Sequence, residues 1–392
     1  MRYLIIISVL FYFCSCGSSV QNKESIATIS IDNAEVDNPS FIQDIEIIPL
    51  ETTDSLLIGN LKSFKYVEAL DSYFISDTSP TLFLFDSTGK HLSNSLHCQG
   101  QGPQEYIMIT NVLYNQYENQ IEIFDTANKG IIHCYDLDFN WKNTIKLNFE
   151  EKFTVIAVEL LDSNRYLLEP VRIKEEDCYF VIKTIDEDKT KVTFPNNYVA
   201  GVNMVQNPFT KTENNIYYTP CYLDYYLYEL DSLNGEVNPI YKLDIEDDEK
   251  IKKRLIADFG NGNSDNSHNR NSNLDISWKK NDYLLTSSYR LPIIRLISES
   301  YVYVHLIKNK KPSHILYNRK TGETHFLSEK THFPMYRCFQ LIENVLYTLI
   351  SPHEIEKYIN NDVINFLSET EIEKLENIKE DDNPVVVKYI LK

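Results

Sequence analysis

Glu105 and Tyr106 close the segment Gly100-Gln101-Gly102-Pro103-Gln104-Glu105-Tyr106, the chain's most distinctive cluster of special residue types. Two glycines permit unusual backbone angles, and Pro103 stiffens the path. The Glu105 carboxylate suits either of two tasks: accepting N–H bonds within this turn, or meeting a ligand at a funnel rim. Tyr106 would pack beside it or share that contact. No Lys-Ser/Thr follows the glycines and no βαβ pattern surrounds them, so this is not a phosphate loop. The nine histidines are scattered, among them His91, His97, His133 and His268. They form neither a His-Glu-x-x-His helix nor a partner set for a Gly-x-Ser-x-Gly elbow. Beyond the N-terminal region stand Cys98, Cys134, Cys178, Cys221 and Cys338, with no CxxC pair. A zinc cluster or a redox dithiol is therefore not expected, and the odd number leaves a free thiol. Cys134 and Cys178 sit in apolar runs as small core residues do. No metal and no cofactor are expected.

The N-terminus holds a different chemistry. Arg2 precedes an apolar run from Tyr3 to Phe13, and small residues follow it. That run is too short to span a bilayer and reads as a secretory signal. Ser15-Cys16 resembles the lipobox of bacterial lipoproteins, in which the cysteine thiolate accepts a diacylglycerol and becomes the first residue. Residues 1–15 are then a signal peptide, Cys16 the lipidation site, and 16–40 an anchor and linker. Buried methylenes contribute ~0.8 kcal/mol each, so two or three acyl chains hold a protein firmly on a membrane.

The formal net charge is −19. Phosphate recognition needs a basic patch, which excludes nucleic acid as the expected partner. Such a charge also disfavours an anionic membrane surface other than through the anchor. Tyrosine is abundant (27) and glycine scarce (11), a balance that favours strands.

The strands are marked by their turns. Asp71-Ser72, Glu118-Asn119, Asp162-Ser163-Asn164, Glu213-Asn214-Asn215, Glu299-Ser300 and Glu343-Asn344 each adjoin runs rich in Tyr, Val and Ile. A second series interleaves with the first. Asp86, Asp136, Asp186, Asp231 and Asn318 each end an apolar run and open a polar turn, and the first three are spaced 50 residues apart. Two hairpins per period of roughly 45–50 residues make a four-stranded antiparallel blade, the unit of a β-propeller. An aspartate repeated in successive blades serves the turn, since an active site needs asymmetry.

The expected fold is all-β: a six-bladed β-propeller over residues 41–392 with short helical insertions. One insertion falls at about 247–273, a helix from Asp247 to Phe259 followed by a loop that reads as mobile and lacks calcium-site spacing. The other falls at about 353–378, where Ser368-x-x-Glu371 forms a capping box. Val385–Leu391 returns to strand while blade six still lacks one. Ile45–Leu50, without a partner upstream, is expected to supply its outer strand and so join the two ends of the chain. Trp141 and Trp278 read first as core residues and second as anchors for sugars or peptides.

Ile45–Thr53, Leu82–Lys90, Gly100–Tyr106 and Asn383–Lys392 together resemble bacterial lipoproteins that are six-bladed β-propellers, similar to NHL-repeat and TolB-like propellers. The resemblance implies fold and export and carries no common activity. The expected protein is a monomer of the cell envelope, lipid-anchored at the outer membrane on its periplasmic or surface face. It would bind a peptide, a glycan or an envelope protein through its central funnel or loops, with Glu105 and Tyr106 as candidate contacts. A hydrolase or lyase with a metal or acidic site in the channel is the alternative.

Overall fold

The computed structural model describes residues 26–125, 130–147, 155–170, 180–185, 190–192, 207–219, 224–233, 235–246, 248–259, 282, 284–331, 333, 335, 337–359 and 362–392. They form six antiparallel blades of four strands each. Blade one holds Leu61–Val67, Ser72–Asp77, Leu82–Asp86 and His91–Asn94. Blade two holds Ile109–Asn115, Gln120–Asp125, Ile131–Tyr135 and Trp141–Lys146. Blade three holds Val155–Leu160, Arg165–Pro170, Phe180–Thr184 and Thr190–Val192. Blade four holds Phe209–Lys211, Ile216–Tyr218, Tyr226–Leu230 and Val237–Asp244. Blade five holds Leu291–Ile297, Tyr301–Lys308, Lys311–Asn318 and Thr324–Leu327. Blade six takes Gln340–Ile342, Val345–Ile350 and Val385–Leu391 from the C-terminus and Ile42–Pro49 from the N-terminal side.

The last pairing closes the ring as the sequence predicts. Val387 lies opposite Ile47 and Tyr389 opposite Ile45. Gln340 fastens the same seam at its inner end: its Oε1 accepts from Tyr66 N at 2.7 Å and its Nε2 donates to Tyr66 O at 3.1 Å.

The core lies between blades. Six hydrophobic clusters fill the six seams, one each. Tyrosines supply much of this filling and place their hydroxyls on polar groups of the next blade. Tyr166 OH donates to Glu122 Oε2 at 2.9 Å, and Tyr218 OH donates to Glu169 Oε1 at 2.8 Å. The ring is large and the phenol polar, so one residue type answers both the apolar demand of a seam and its buried carboxylate.

Both series of turns have a local cause. Asp71, Asn119 and Glu343 adopt positive φ in the first-to-second turns. In the third-to-fourth turns, Asp86 Oδ1 accepts from Thr88 N (2.9 Å), Asp136 Oδ1 from Asp138 N (3.0 Å), and Asn318 Oδ1 from Lys320 N (2.9 Å). These are Asx turns, in which the side chain stands in for a backbone acceptor. Asp186 lies outside the described residues.

Residues ahead of the expected propeller boundary also join the fold. Ala27–Ser30 pairs in parallel with Val237–Asp244, and Glu35–Val36 pairs in parallel with Thr324–Leu327. Blades four and five therefore carry a fifth, outermost strand, and Ile29 is fully buried in the seam between them.

The helical insertions hold with one correction. Asp248–Phe259 is α-helical, as are Ile355–Ile359 and Glu369–Glu376. Ser368 caps the last helix by accepting from Glu371 N at 3.2 Å. The reciprocal half of the box does not form. Glu371 instead accepts from Ile47 N at 2.7 Å, because the outer edge of blade six offers an otherwise unpaired donor there. The loop at 261–273 lies outside the described residues. No helix among those described is long and apolar enough to cross a membrane.

Candidate functional site: the central channel

The first strand of each blade lines the molecular axis, and together the six enclose a channel of ≈ 980 Å³. That volume lies at the upper end of the ~300–1,000 Å³ common for small-molecule sites. Strands alternate in direction, so every first-to-second turn falls at one end of the channel and every crossing between blades at the other. The turn end carries at least one acidic residue per blade: Glu68 with Asp71, Glu118, Asp162, Glu213, Glu299 and Glu343. Four of these glutamates, at 68, 213, 299 and 343, line the channel mouth. The half-exposed Tyr117 stands among them.

These carboxylates differ in their support. Glu299 accepts from Thr212 Oγ1 at 2.6 Å, Tyr217 OH at 3.2 Å and Asn215 Nδ2 at 3.3 Å. The Thr212 bond foremost, with the other two, holds its pKa below the ordinary carboxylate value. Glu68 is shifted the other way, first by loss of hydration and then by the charge of Glu343. Two negative groups at one mouth oppose each other's ionisation.

At the waist, Lys65 of blade one reaches Glu159 of blade three, Nζ to Oε2 at 3.9 Å, and Asn207 Nδ2 donates to the same oxygen at 3.3 Å. Blades one and three are not neighbours, so the pair crosses the channel. Lys211 spends its ammonium on the carbonyls of Leu160 (3.0 Å) and Leu161 (2.7 Å). Toward the crossing end, Lys62 Nζ donates to Ile109 O, and burial lowers its pKa.

The residues singled out from sequence lie elsewhere. Glu105 folds back on its own turn, where Oε2 accepts from Gly102 N at 2.9 Å. A Cβ at Gly100 would stand 1.9 Å from that oxygen, so the glycine is required by the carboxylate above it. Tyr106 is fully buried in the seam of blades one and two, with its OH on Pro80 O at 2.9 Å and 2.5 Å from Ser95 Oγ. The channel lining is drawn from other residues. Cys16, Cys178, Cys221, Trp278 and His268 fall outside the described residues. Trp141, expected in the core, is 40% exposed on the outer strand of blade two, because its strand ends the sheet. Cys98, Cys134 and Cys338 are buried free thiols.

Two histidines missed as a pair face each other in blade five. His305 and His314 are opposite residues on adjacent strands, with Nδ1 atoms 3.5 Å apart and Tyr303 OH 2.9 Å from the latter. Both are buried and held neutral, the pKa of His314 being pushed down to about 3. No three His, Cys, Asp or Glu side chains among the described residues converge to hold a metal ion.

Fold and channel together define a six-bladed propeller whose blades jointly enclose a cavity of mixed polar and apolar lining. The chain belongs to the family described as Domain of unknown function (DUF4934), whose model matches residues 26–389. Among solved structures it is similar to a Bacteroides fragilis protein described as exported, with 18% identity, TM-score 0.66, and coverage of 93% of this chain and 100% of the other. PorZ, a surface component of the type-IX secretion system of Porphyromonas gingivalis, matches at 13% identity and TM-score 0.37, over 75% of this chain and 30% of PorZ. No curated protein matches the chain.

Proposed function

We propose that this protein is an exported envelope protein, anchored through a lipid on Cys16, that binds a polar ligand in its central channel without transforming it. The channel carries this reading. It is ≈ 980 Å³, is built by all six blades, and is lined by amides, hydroxyls, aromatic rings and charges of both signs beside aliphatic side chains. Similarity to an exported Bacteroides protein supports export. The ligand is a peptide, a glycan or a segment of an envelope protein. A hydrolase or lyase is the second reading, favoured by one observation: Glu68 and Glu343 form a carboxylate pair in which one pKa is raised, the pattern of an acid and a base. Both face solvent at the mouth, which suits ligand attraction better than proton transfer in a closed site.

Native mass spectrometry of the purified mature protein tests the binding reading. A co-purifying mass is expected on the wild type and is expected to be lost from Thr210→Trp, which narrows the channel at its lining. A mass that persists in that variant, or its absence from both, overturns the channel as the ligand site. Recovery of the bound molecule in cleaved form favours the enzyme. Metabolic labelling with a fatty acid, abolished by Cys16→Ser, tests the anchor.

A further inference from the structure

We propose that the channel's occupant is a short unblocked peptide of about six residues, its amino end held at the glutamate mouth and its carboxylate beside Lys62. The inference rests on the channel being the ligand site and names the class of ligand.

The argument comes from which charges in the lining are answered by the protein itself. Lys65 and Glu159 answer each other across the waist, Lys211 is held by two carbonyls, and Glu299 by three donors. Glu68, Glu213 and Glu343 take part in no ion pair among the described residues, and Lys62, also without an ion pair there, meets the single carbonyl of Ile109. These four charges are segregated. The three carboxylates lie at the turn end, whereas Lys62 lies near the crossing end, with its Nζ on the carbonyl of the first residue of blade two's inner strand. A ligand of complementary sign at each end is attracted to these charges and selected by them.

The complementary ligand is therefore dipolar, with a cation at one end and an anion at the other. Lys62 lies near the start of an inner strand and Glu68, six residues on, directly follows its end. At ~3.3 Å per residue the two ends are roughly 20 Å apart, the span of an extended peptide of about six residues. Between them, the Thr110 and Thr210 hydroxyls in the lining suit a peptide backbone. A neutral glycan leaves both ends unanswered, and an anionic polymer meets four glutamates.

Affinity-selection mass spectrometry on the purified mature protein discriminates these ligands. Three probes are compared: random hexapeptides with free termini, the same library acetylated and amidated, and maltohexaose. Free hexapeptides are expected to be retained at least tenfold over the doubly blocked library. Lys62→Met is expected to erase the preference for a free carboxylate alone, and the double variant Glu68→Gln, Glu343→Gln the preference for a free amine alone. Each variant keeps the other preference, which shows that it is folded. Equal retention of free and blocked libraries, retention of neither, or loss of both preferences together in either variant overturns the proposal. Retention of maltohexaose instead overturns the peptide while leaving the channel as a ligand site. Retention that survives Thr210→Trp overturns the channel reading itself.

Discussion

Glu343 has a backbone φ of 48° in the turn between the first two strands of blade six. Asparagine and glycine occupy that region at lower cost than glutamate. The equivalent turns use Asp71 and Asn119 at φ 47° and 46°. Glu343→Asn is thus expected to raise stability by about 0.5 kcal/mol in chemical denaturation while weakening ligand retention. Its neighbour Glu68 supplies a pH test. The folded pKa of Glu68 is raised, so the native state holds its proton longer than the unfolded chain does. That contribution to stability is greatest below the ordinary value of 4.5 and is lost as pH rises through the folded value. Glu68→Gln should match the wild type at pH 4 and exceed it at pH 7. His314 tests the opposite sign. Its pKa is depressed by burial to about 3, so the unfolded chain binds more protons below pH 6.5. Stability should fall as pH drops from 6.5 toward 3, with a slope of at most about 1.4 kcal/mol per pH unit for this group. His314→Gln should flatten that part of the profile in urea titrations at pH 7 and pH 5.

At the scale of the element, the outer edges of the blades show how a six-sheet molecule limits unwanted strand pairing. Blades four and five are covered by Ala27–Ser30 and Glu35–Val36. On blade six, Glu371 accepts from Ile47 N, and Lys374 Nζ donates to Ile47 O at 3.0 Å, so two side chains of one helix imitate a neighbouring strand. Blade two leaves Trp141–Lys146 largely exposed and carries Lys142 and Lys146 on it. Glu371→Ala removes the acceptor from a buried N–H and should cost about 1–3 kcal/mol in thermal or urea unfolding, whereas Glu371→Gln should recover most of it. The blade turns were legible in the sequence because Asp86, Asp136 and Asn318 act within their own few residues. Ala27–Ser30 was not, being four residues long and paired more than 200 positions away. The channel was illegible for a related reason. Glu68 and Glu343 meet only through the ring, and no local pattern distinguishes them or Lys62 from solvated surface charges. The Gly100–Tyr106 segment stood out by composition, and the structure gives it a turn in which Glu105 covers Gly100 and Gly102.

At the scale of the whole molecule, the ring depends on one junction. The four antiparallel strands of every other blade are consecutive, but blade six combines Ile42–Pro49 with three strands more than 290 residues later. An open array of blades would expose two unfilled faces, and its stability would be nearly a sum over neighbours. Closure converts that array into a cycle in which each blade has two covered faces. Asn383 reinforces the junction from the adjoining loop: its Oδ1 accepts from Ile58 N at 2.8 Å and its Nδ2 donates to Leu56 O at 2.9 Å. Two deletions separate closure from edge covering. Removing residues 384–392 takes away Val385–Leu391, the direct partner of Ile42–Pro49, and opens the seams on both sides of blade six. Removing residues 1–36 takes away, among the described residues, the outer strands of blades four and five, including buried Ile29, and leaves the cycle intact. The second variant should melt in one transition at reduced temperature, with a loss of about 2–5 kcal/mol for the buried isoleucine. The first should lose cooperative melting and expand in size-exclusion chromatography. A C-terminal truncation that melts as sharply as the wild type would show that the blades hold together without the cycle.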